Sequence, residues 1–181
     1  MTSRKTYETL DHSADTVRPV SHRSDDIPPV RHPRTKAYVV RHSPIHGRGV
    51  FATHDIAADL RVMEYKGERI AAELAAERSG TDPDNPYHTF FFSLEDGRLI
   101  DGGAGGNAAR WINHACEPNC EAREHAGRIF IHALRDIAPG EELNYDYRLT
   151  MEGRHTAKLK RAYLCLCGAP TCRGTMLAPK R

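Results

Sequence analysis

Five cysteines have the residue type and the spacing to bind a metal ion: Cys116, Cys120, Cys165, Cys167 and Cys172. An odd number does not suit a simple disulfide framework, and three of the five fall near the C-terminus. Thiolates that share a metal tolerate the Cys165-Leu-Cys167 spacing better than a disulfide between the same two residues would. A tetrahedral zinc needs a fourth ligand, and the residues alone leave Cys116 and Cys120 both open as its source.

A glycine-rich loop, His46-Gly47-Arg48-Gly49, runs directly into an apolar segment. Two glycines around one residue let the backbone approach a ligand closely, and the Arg48 guanidinium can pair with a carboxylate. Taken alone, the pattern is as typical of an ordinary turn as of a binding loop.

The segment 107–120 places Asn113 and His114 side by side after a short predicted helix. Their side chains supply hydrogen-bond donors and acceptors that suit a heteroaromatic ligand. Such residues seen singly are more often buried and satisfied within the protein. The specific run Asn-His-Ala-Cys-Glu-Pro-Asn-Cys favours a binding role.

Two tyrosines, Tyr145 and Tyr147, are separated by one residue. In an extended segment both side chains lie on the same face, so both hydroxyls can enter one pocket. The competing interpretation is that both rings belong to the hydrophobic core.

The elements that must position these residues are mostly strands. Short β-branched or aromatic runs alternate with turn residues, which predicts a β-rich α+β domain. The predicted strands are AYVV, GVFAT, LRVMEY, TFFFSL, RLID and RIFIHAL. Helical propensity is confined to residues 71–78 and 107–113. Residues 1–35 have no sustained apolar period and are expected to form a flexible tail.

Composition narrows the class of protein. With 39% hydrophobic and 28% charged residues, the chain matches a globular protein. No run approaches the roughly 20 apolar residues of a membrane span, and no apolar stretch follows the first basic residues as in a secretory signal. The net charge is +2, and residues 153–181 carry seven Lys or Arg and no Asp or Glu. That basic end indicates a solvated face; it allows a nucleic-acid contact but does not require one.

The motifs together resemble a SET domain followed by a post-SET segment, as in histone-lysine methyltransferases of the trithorax type. The likeness extends from about Lys36 to Met176. The matching stretches are SPIHGRGVFA, VMEYKGE, GNAARWINHACEPNC, GEELNYDY and CLCGAPTCRG. The boundaries that follow are a tail over 1–35, a SET domain over 36–148, a linker over 149–160 and a post-SET zinc segment over 161–177.

The resemblance implies a fold of short sheets with a knot-like crossing at the active site. It also implies transfer of a methyl group from S-adenosylmethionine to a lysine of a histone tail or another basic protein. The implied cofactor-binding residues are His46, Gly47, Arg48, Gly49, Phe90, Asn113, His114 and Leu166. The implied catalytic residues are Tyr147, Tyr145 and Tyr65. The implied ligands of a structural zinc are Cys116, Cys165, Cys167 and Cys172, which leaves Cys120 as a spare thiol.

Four positions bear on the outcome of the reaction. Tyr147 matches the family's catalytic tyrosine, and Tyr145 matches the position that tunes how many methyl groups are added, which favours mono- or dimethylation. Phe90 stands where trithorax-type relatives commonly carry a tyrosine near the cofactor, and Tyr87 is a candidate substitute. Trp111 replaces the usual phenylalanine of the central motif.

Two other classes of function compete with this interpretation. One is a non-catalytic, zinc-stabilised SET-like module that binds peptides, and the other is a redox protein that uses its clustered thiols. The expected partner is a lysine-bearing protein or peptide, such as a histone, and binding to a membrane is not expected. The expected location is the cytoplasm if the protein is bacterial, or host chromatin if it is exported.

Overall fold

The computed structural model describes residues 37–79, 90–151 and 153–179, so the tail expected over residues 1–35 and Tyr87 lie outside it. The described part consists mainly of short strands, as the sequence predicted. The strands are β1 Tyr38–His42, β2 Arg48–Ala52, β3 Arg61–Tyr65, β4 Glu68–Ile70, β5 Phe91–Ser93, β6 Leu99–Asp101, β7 Asn113–His114, β8 Cys120–His125, β9 Arg128–Ala133 and β10 Glu142–Tyr145. The helices are α1 Ala72–Arg78, α2 Ala157–Ala162 and a 3₁₀ turn at Ala108–Trp111.

The strands form three small sheets. Their orders are β1-β2-β10-β7, β3-β9-β8 and β4-β6-β5. The pairing of β7 with β10 is parallel, whereas the other strand pairs are antiparallel. In that parallel pair Asn113 lies opposite Asn144, and His114 lies opposite Tyr145. The central motif and the tyrosine segment, whose paired residues are 31 positions apart in the chain, therefore lie side by side.

Apolar side chains from all three sheets share one core. In β9 the consecutive residues Ile129, Phe130 and Ile131 are all buried, which requires cover on both faces of the strand. Leu143 of β10 and Val50 of β2 are each 0% exposed. The strands that border the functional residues are thus anchored by close packing.

A buried asparagine fastens the central motif to β10. The Asn119 N–H donates to Asn144 Oδ1 at 3.0 Å, and the Asn144 N–H donates to Asn119 Oδ1 at 2.9 Å. The Asn119 amide also donates to the Glu142 carbonyl oxygen at 2.8 Å. Asn119 is 1% exposed, so these bonds satisfy polar groups that would otherwise be costly to bury.

The helices are short. α1 ends at Arg78, the last residue of the predicted helical stretch 71–78, and the Asn107 side chain caps the 3₁₀ turn by accepting from the Ala109 N–H at 3.3 Å. α2 begins after Thr156, whose hydroxyl accepts from the Leu159 N–H at 3.2 Å. α2 crosses the expected boundary between the linker and the zinc segment. Within the described residues, no helix has both the length and the hydropathy that a bilayer crossing needs.

Candidate active site and metal centre

A cavity of about 780 Å³ is lined by residues from the glycine loop, the central motif, the tyrosine segment and the C-terminal segment. Ten of the residues predicted for catalysis or cofactor binding line it: His46, Gly47, Arg48, Tyr65, Phe90, Asn113, His114, Tyr145, Tyr147 and Leu166. Gly49 is not among the lining residues. The volume lies within the range of small-molecule sites, which bury a ligand among largely apolar walls.

The glycine loop is held in place by Asn113. Its side-chain amide donates to the carbonyl oxygens of His46 at 3.2 Å and Arg48 at 2.9 Å. The same amide donates to Glu142 Oε1 at 2.8 Å. Glu142 Oε2 accepts from the Ser43 hydroxyl at 2.9 Å. The Asn113 side chain therefore fixes the loop, while the loop leaves His46 and Arg48 exposed at the cavity.

Gly49 has a packing role in this network. A Cβ atom at this position would lie 2.2 Å from Glu142 Oε1 and 3.0 Å from Ser43 Cβ. Any side chain would push the carboxylate away from Asn113. Gly47 differs, because its φ of +48° puts the backbone in the left-handed region, where glycine is favoured.

The His114 imidazole is turned into the protein. Its Nδ1 accepts a hydrogen bond from the Tyr147 N–H at 3.1 Å, and its Nε2 lies 3.5 Å from Cys116 Sγ. Because Nδ1 is an acceptor, the neutral ring carries its proton on Nε2, directed at the sulfur. Desolvation lowers the pKa of His114 to about 4, against the opposing effect of Asp146. The side chain is therefore a neutral bridge between a cysteine and the tyrosine segment.

Tyr147 is held at both ends. Besides its backbone bond to His114, its phenol donates to the Ile112 carbonyl oxygen at 2.7 Å. The ring lies 4.9 Å from the Tyr145 ring and 5.3 Å from the His114 ring, centre to centre. A donor hydrogen committed to Ile112 leaves the lone pairs of the phenol oxygen to accept from a group in the cavity.

Aromatic rings form one wall of the cavity. The Phe92 ring lies 5.5 Å from Tyr65 and 6.1 Å from Tyr145, and the Tyr65 hydroxyl donates to the Phe90 carbonyl oxygen at 2.6 Å. Burial is the main cause that raises the pKa of the Tyr65, Tyr145 and Tyr147 phenols above the ordinary value. The three phenols stay protonated and neutral at physiological pH.

Trp111 lies between two arginines on a second wall. The guanidinium carbons of Arg110 and Arg48 lie 4.8 Å and 5.2 Å from its ring centre. The Phe90 ring meets Trp111 edge-on at 5.1 Å. These contacts are of the cation–π and T-shaped kinds, and they involve the tryptophan that replaces the expected phenylalanine.

The four cysteines predicted as zinc ligands come together near the cavity. The thiol sulfurs of Cys116, Cys165, Cys167 and Cys172 all lie within 4.8 Å of one another. Cys116 Sγ is 3.7 Å from Cys165 Sγ and 3.9 Å from Cys172 Sγ. A tetrahedral Zn²⁺ with bonds of about 2.3 Å separates its sulfurs by about 3.8 Å, so the donor set fits this ion.

Two further residues complete this region. Cys120 is 0% exposed at the start of β8, and desolvation raises its pKa to about 12. Leu166 is 55% exposed and contributes an apolar edge to the cavity. The cysteine cluster thus brings Leu166 to the cavity, while Cys120 belongs to the core.

Sequence reasoning missed the network around Glu142 and Ser43, which holds the glycine loop. Neither residue has a type or spacing that marks it, because a glutamate at the start of a strand and a serine before a turn are common at surfaces. Gly49 is a signal that could have found Glu142, since a glycine inside an apolar strand often marks a close approach by another group.

Comparison with known proteins agrees with this geometry. A family model described as "SET domain" matches residues 47–148. The chain is 38% identical over 146 residues to the H3 lysine-4 specific histone-lysine N-methyltransferase of Candida albicans. It is 40% identical over 146 residues to the protein of that name in Saccharomyces cerevisiae, and 41% identical over 143 residues to histone-lysine N-methyltransferase trithorax of Drosophila melanogaster.

These matches cover 76% to 78% of this chain but only a small part of each relative. The covered share is 14% of the Candida protein, 13% of the Saccharomyces protein and 4% of the Drosophila protein.

Proposed function

The chain belongs to the SET domain family, and from that membership we propose that it transfers a methyl group from S-adenosylmethionine to a protein lysine. The proposed substrate is a histone tail, of the H3 kind named for the relatives, or another basic protein. The observation that carries this proposal is the Tyr147 phenol, fixed by Ile112 in the same cavity as the Asn113-held glycine loop.

The residues around the loop suit the cofactor. S-adenosylmethionine, when bound, supplies an electrophilic methyl group on a positively charged sulfur. The exposed Arg48 side chain is suited to its carboxylate, and the backbone groups of His114 and Leu166 to its heteroaromatic ring. Phe90 and Trp111, whose rings both contact Arg110, add aromatic surface to this side of the cavity.

The aromatic wall of the cavity, beside which the substrate lysine is proposed to lie, lowers the free-energy cost of presenting a neutral amine. At pH 7, which is about 3.4 units below the ordinary lysine pKa of about 10.4, removing the proton from a lysine amine costs roughly 4.6 kcal/mol. Walls made of Tyr65, Phe92 and Tyr145 hydrate a charge poorly, so they favour the neutral form. No carboxylate base is needed for this step.

Tyr147 orients the amine in this account. Its phenol is protonated and gives its hydrogen to Ile112, so its oxygen accepts from the amine N–H and directs the nitrogen lone pair. The chemistry then depends mainly on alignment and on the exclusion of water. Tyr147 and its ring neighbours supply both.

Tyr145 limits the number of methyl groups. Its ring is 8% exposed and 4.9 Å from Tyr147, so its hydroxyl occupies space that a methylated amine would need. We therefore propose mono- or dimethylation as the main outcome.

The proposed zinc has a structural role. Desolvation raises the pKa of the Cys116 and Cys165 thiols, so a cation is needed to favour the thiolate forms there. Zn²⁺ on the four cysteines would join the C-terminal segment to the central motif and complete the cavity wall at Leu166.

A transfer assay tests the proposal. The zinc-loaded protein is incubated with methyl-labelled S-adenosylmethionine and a series of histone H3 tail peptides, each with one lysine replaced by arginine. The proposal is supported if a peptide becomes labelled and the label is lost when one particular lysine is replaced by arginine. If the protein binds a peptide but labels neither a peptide nor any protein of a whole-cell extract, the result would instead support the non-catalytic module.

A further inference from the structure

Asp146 lies between the two cavity tyrosines in the chain, and its carboxylate is bound from two segments. Arg173 donates from Nη1 to Oδ2 at 3.0 Å and from Nη2 to Oδ1 at 2.8 Å. The Arg148 N–H donates to Oδ1 at 3.1 Å. A two-pronged arginine–carboxylate pair fixes direction as well as distance.

Tyr147 sits inside the turn that this carboxylate closes. The bond from the Arg148 N–H back to Asp146 spans two residues, as in an Asx turn, with Tyr147 in the middle. Arg148 has a φ of +48°, a conformation that residues with a side chain rarely adopt. The position of the Tyr147 ring therefore depends on where the Asp146 carboxylate is held.

Arg173 connects this turn to the cysteine cluster. It follows Cys172 directly, and its N–H donates to Cys116 Sγ at 3.4 Å. The side chains of Arg173 and Asp146 are only 25% and 18% exposed, so water replaces a lost partner poorly. The pair is thus a fixed connection between the C-terminal segment and the tyrosine turn.

The arginine charge also offsets an unfavourable contact. Asp146 Oδ1 lies 3.5 Å from His114 Nδ1, which already accepts the Tyr147 N–H. Two acceptor atoms at this distance repel each other. The guanidinium of Arg173 neutralises the carboxylate and so protects the bond that holds the Tyr147 backbone.

We propose that Arg173 is a positioning residue for methyl transfer, which sets the Tyr147 turn through its two-pronged bond to Asp146. This inference rests on the proposed function. It assigns to the C-terminal segment a role in turnover that is separate from holding zinc or lining the cofactor site.

The test compares Arg173→Gln, Asp146→Asn, their double variant and Arg173→Lys with the wild type, all zinc-loaded. The matched control is Arg128→Gln, which breaks a two-pronged pair between Arg128 and Glu64 outside the cavity. Four quantities are measured: kcat, KM for S-adenosylmethionine, zinc per chain, and hydrogen exchange of the Tyr147 and Arg148 amides.

For Arg173→Gln we expect kcat to fall by roughly 10- to 100-fold, with KM within about threefold of wild type and zinc retained. Exchange at the two turn amides should rise by at least about tenfold, while the β9 amides are unchanged. The double variant should be no worse than either single one, and Arg173→Lys should recover part of kcat. Arg128→Gln should match the wild type.

Unchanged exchange at the turn amides, normal kcat in Arg173→Gln, or loss of zinc in that variant would each overturn the positioning role. A wild type that transfers no methyl group while the turn amides respond as expected would overturn the proposed function and leave the connection between Arg173 and the turn in place.

Discussion

The Tyr147 phenol donates to the backbone carbonyl of Ile112 at 2.7 Å. Ile112 immediately precedes the Asn113 that holds the glycine loop, and it is 1% exposed. This hydrogen bond therefore fixes the proposed catalytic ring to the residue next to Asn113, whose side chain shapes the proposed cofactor site.

Removing the hydroxyl of Tyr145 should change the product. In Tyr145→Phe we expect trimethyllysine to become a major product, because the space next to the Tyr147 ring opens by one oxygen atom. Mass spectrometry of a peptide substrate after exhaustive reaction measures the product distribution. Efficient trimethylation by the wild type would contradict the role given to this hydroxyl.

The five cysteine thiols should fall into two groups by their reactivity toward an alkylating agent. We expect one zinc per chain, slow reaction of the four clustered thiols with an alkylating agent, and rapid reaction after a chelator removes the metal. Cys120 should react only in denaturant, because it is 0% exposed and its pKa is raised to about 12. Metal analysis and thiol counting check both points, and rapid reaction of the clustered thiols without chelation would favour the redox alternative.

Activity should increase with pH. The substrate lysine loses its proton as pH rises, so kcat/KM should increase between pH 7 and 9, by at most about tenfold per unit. The raised pKa values of Tyr65, Tyr145 and Tyr147 keep these phenols protonated over that range, so they should cause no decline. A pH–rate profile that falls with a midpoint below pH 10, while circular dichroism shows an intact fold, would contradict this.

Gly49→Ala should weaken cofactor binding. The new methyl group would displace the Glu142 carboxylate and with it the Asn113 amide that holds the loop. We expect the dissociation constant for S-adenosylmethionine, measured by calorimetry, to rise by roughly tenfold. Gly97→Ala is the control for a destabilising glycine substitution elsewhere: its φ of +86° strains an alanine, but the new Cβ meets no atom within 4 Å and the residue lies outside the cavity lining. Equal affinities in the two variants would remove the role assigned to the Glu142 contact.

Most of the sheet structure could be predicted because its strands are apolar runs bounded by turn residues. β2, β3 and β9 match such runs closely. β8 was missed because its sequence CEAREH is largely charged and only Cys120 is fully buried at its start. β7 has two residues, and its parallel pairing with β10 is set by tertiary contacts that no local pattern encodes.

The functional site, like the fold, could be predicted only in part. Residue types and family resemblance predicted the residues that come together in the cavity and in the cysteine cluster. The choice between Cys116 and Cys120 needed the resemblance, since both follow the Asn-His pair closely. The contacts of Asp146 with Arg173 could not be predicted, because they join segments whose approach depends on the folded C-terminus.

The role of the Tyr147 phenol is tested by the effect of Tyr147→Phe on turnover and on cofactor affinity. We expect kcat to fall by at least roughly 100-fold, because the amine loses its acceptor, while the dissociation constant for S-adenosylmethionine stays within about threefold. Tyr38→Phe, a tyrosine of β1 outside the cavity lining, is the matched control and should turn over normally. A Tyr147→Phe protein that transfers methyl groups at the wild-type rate would contradict the account.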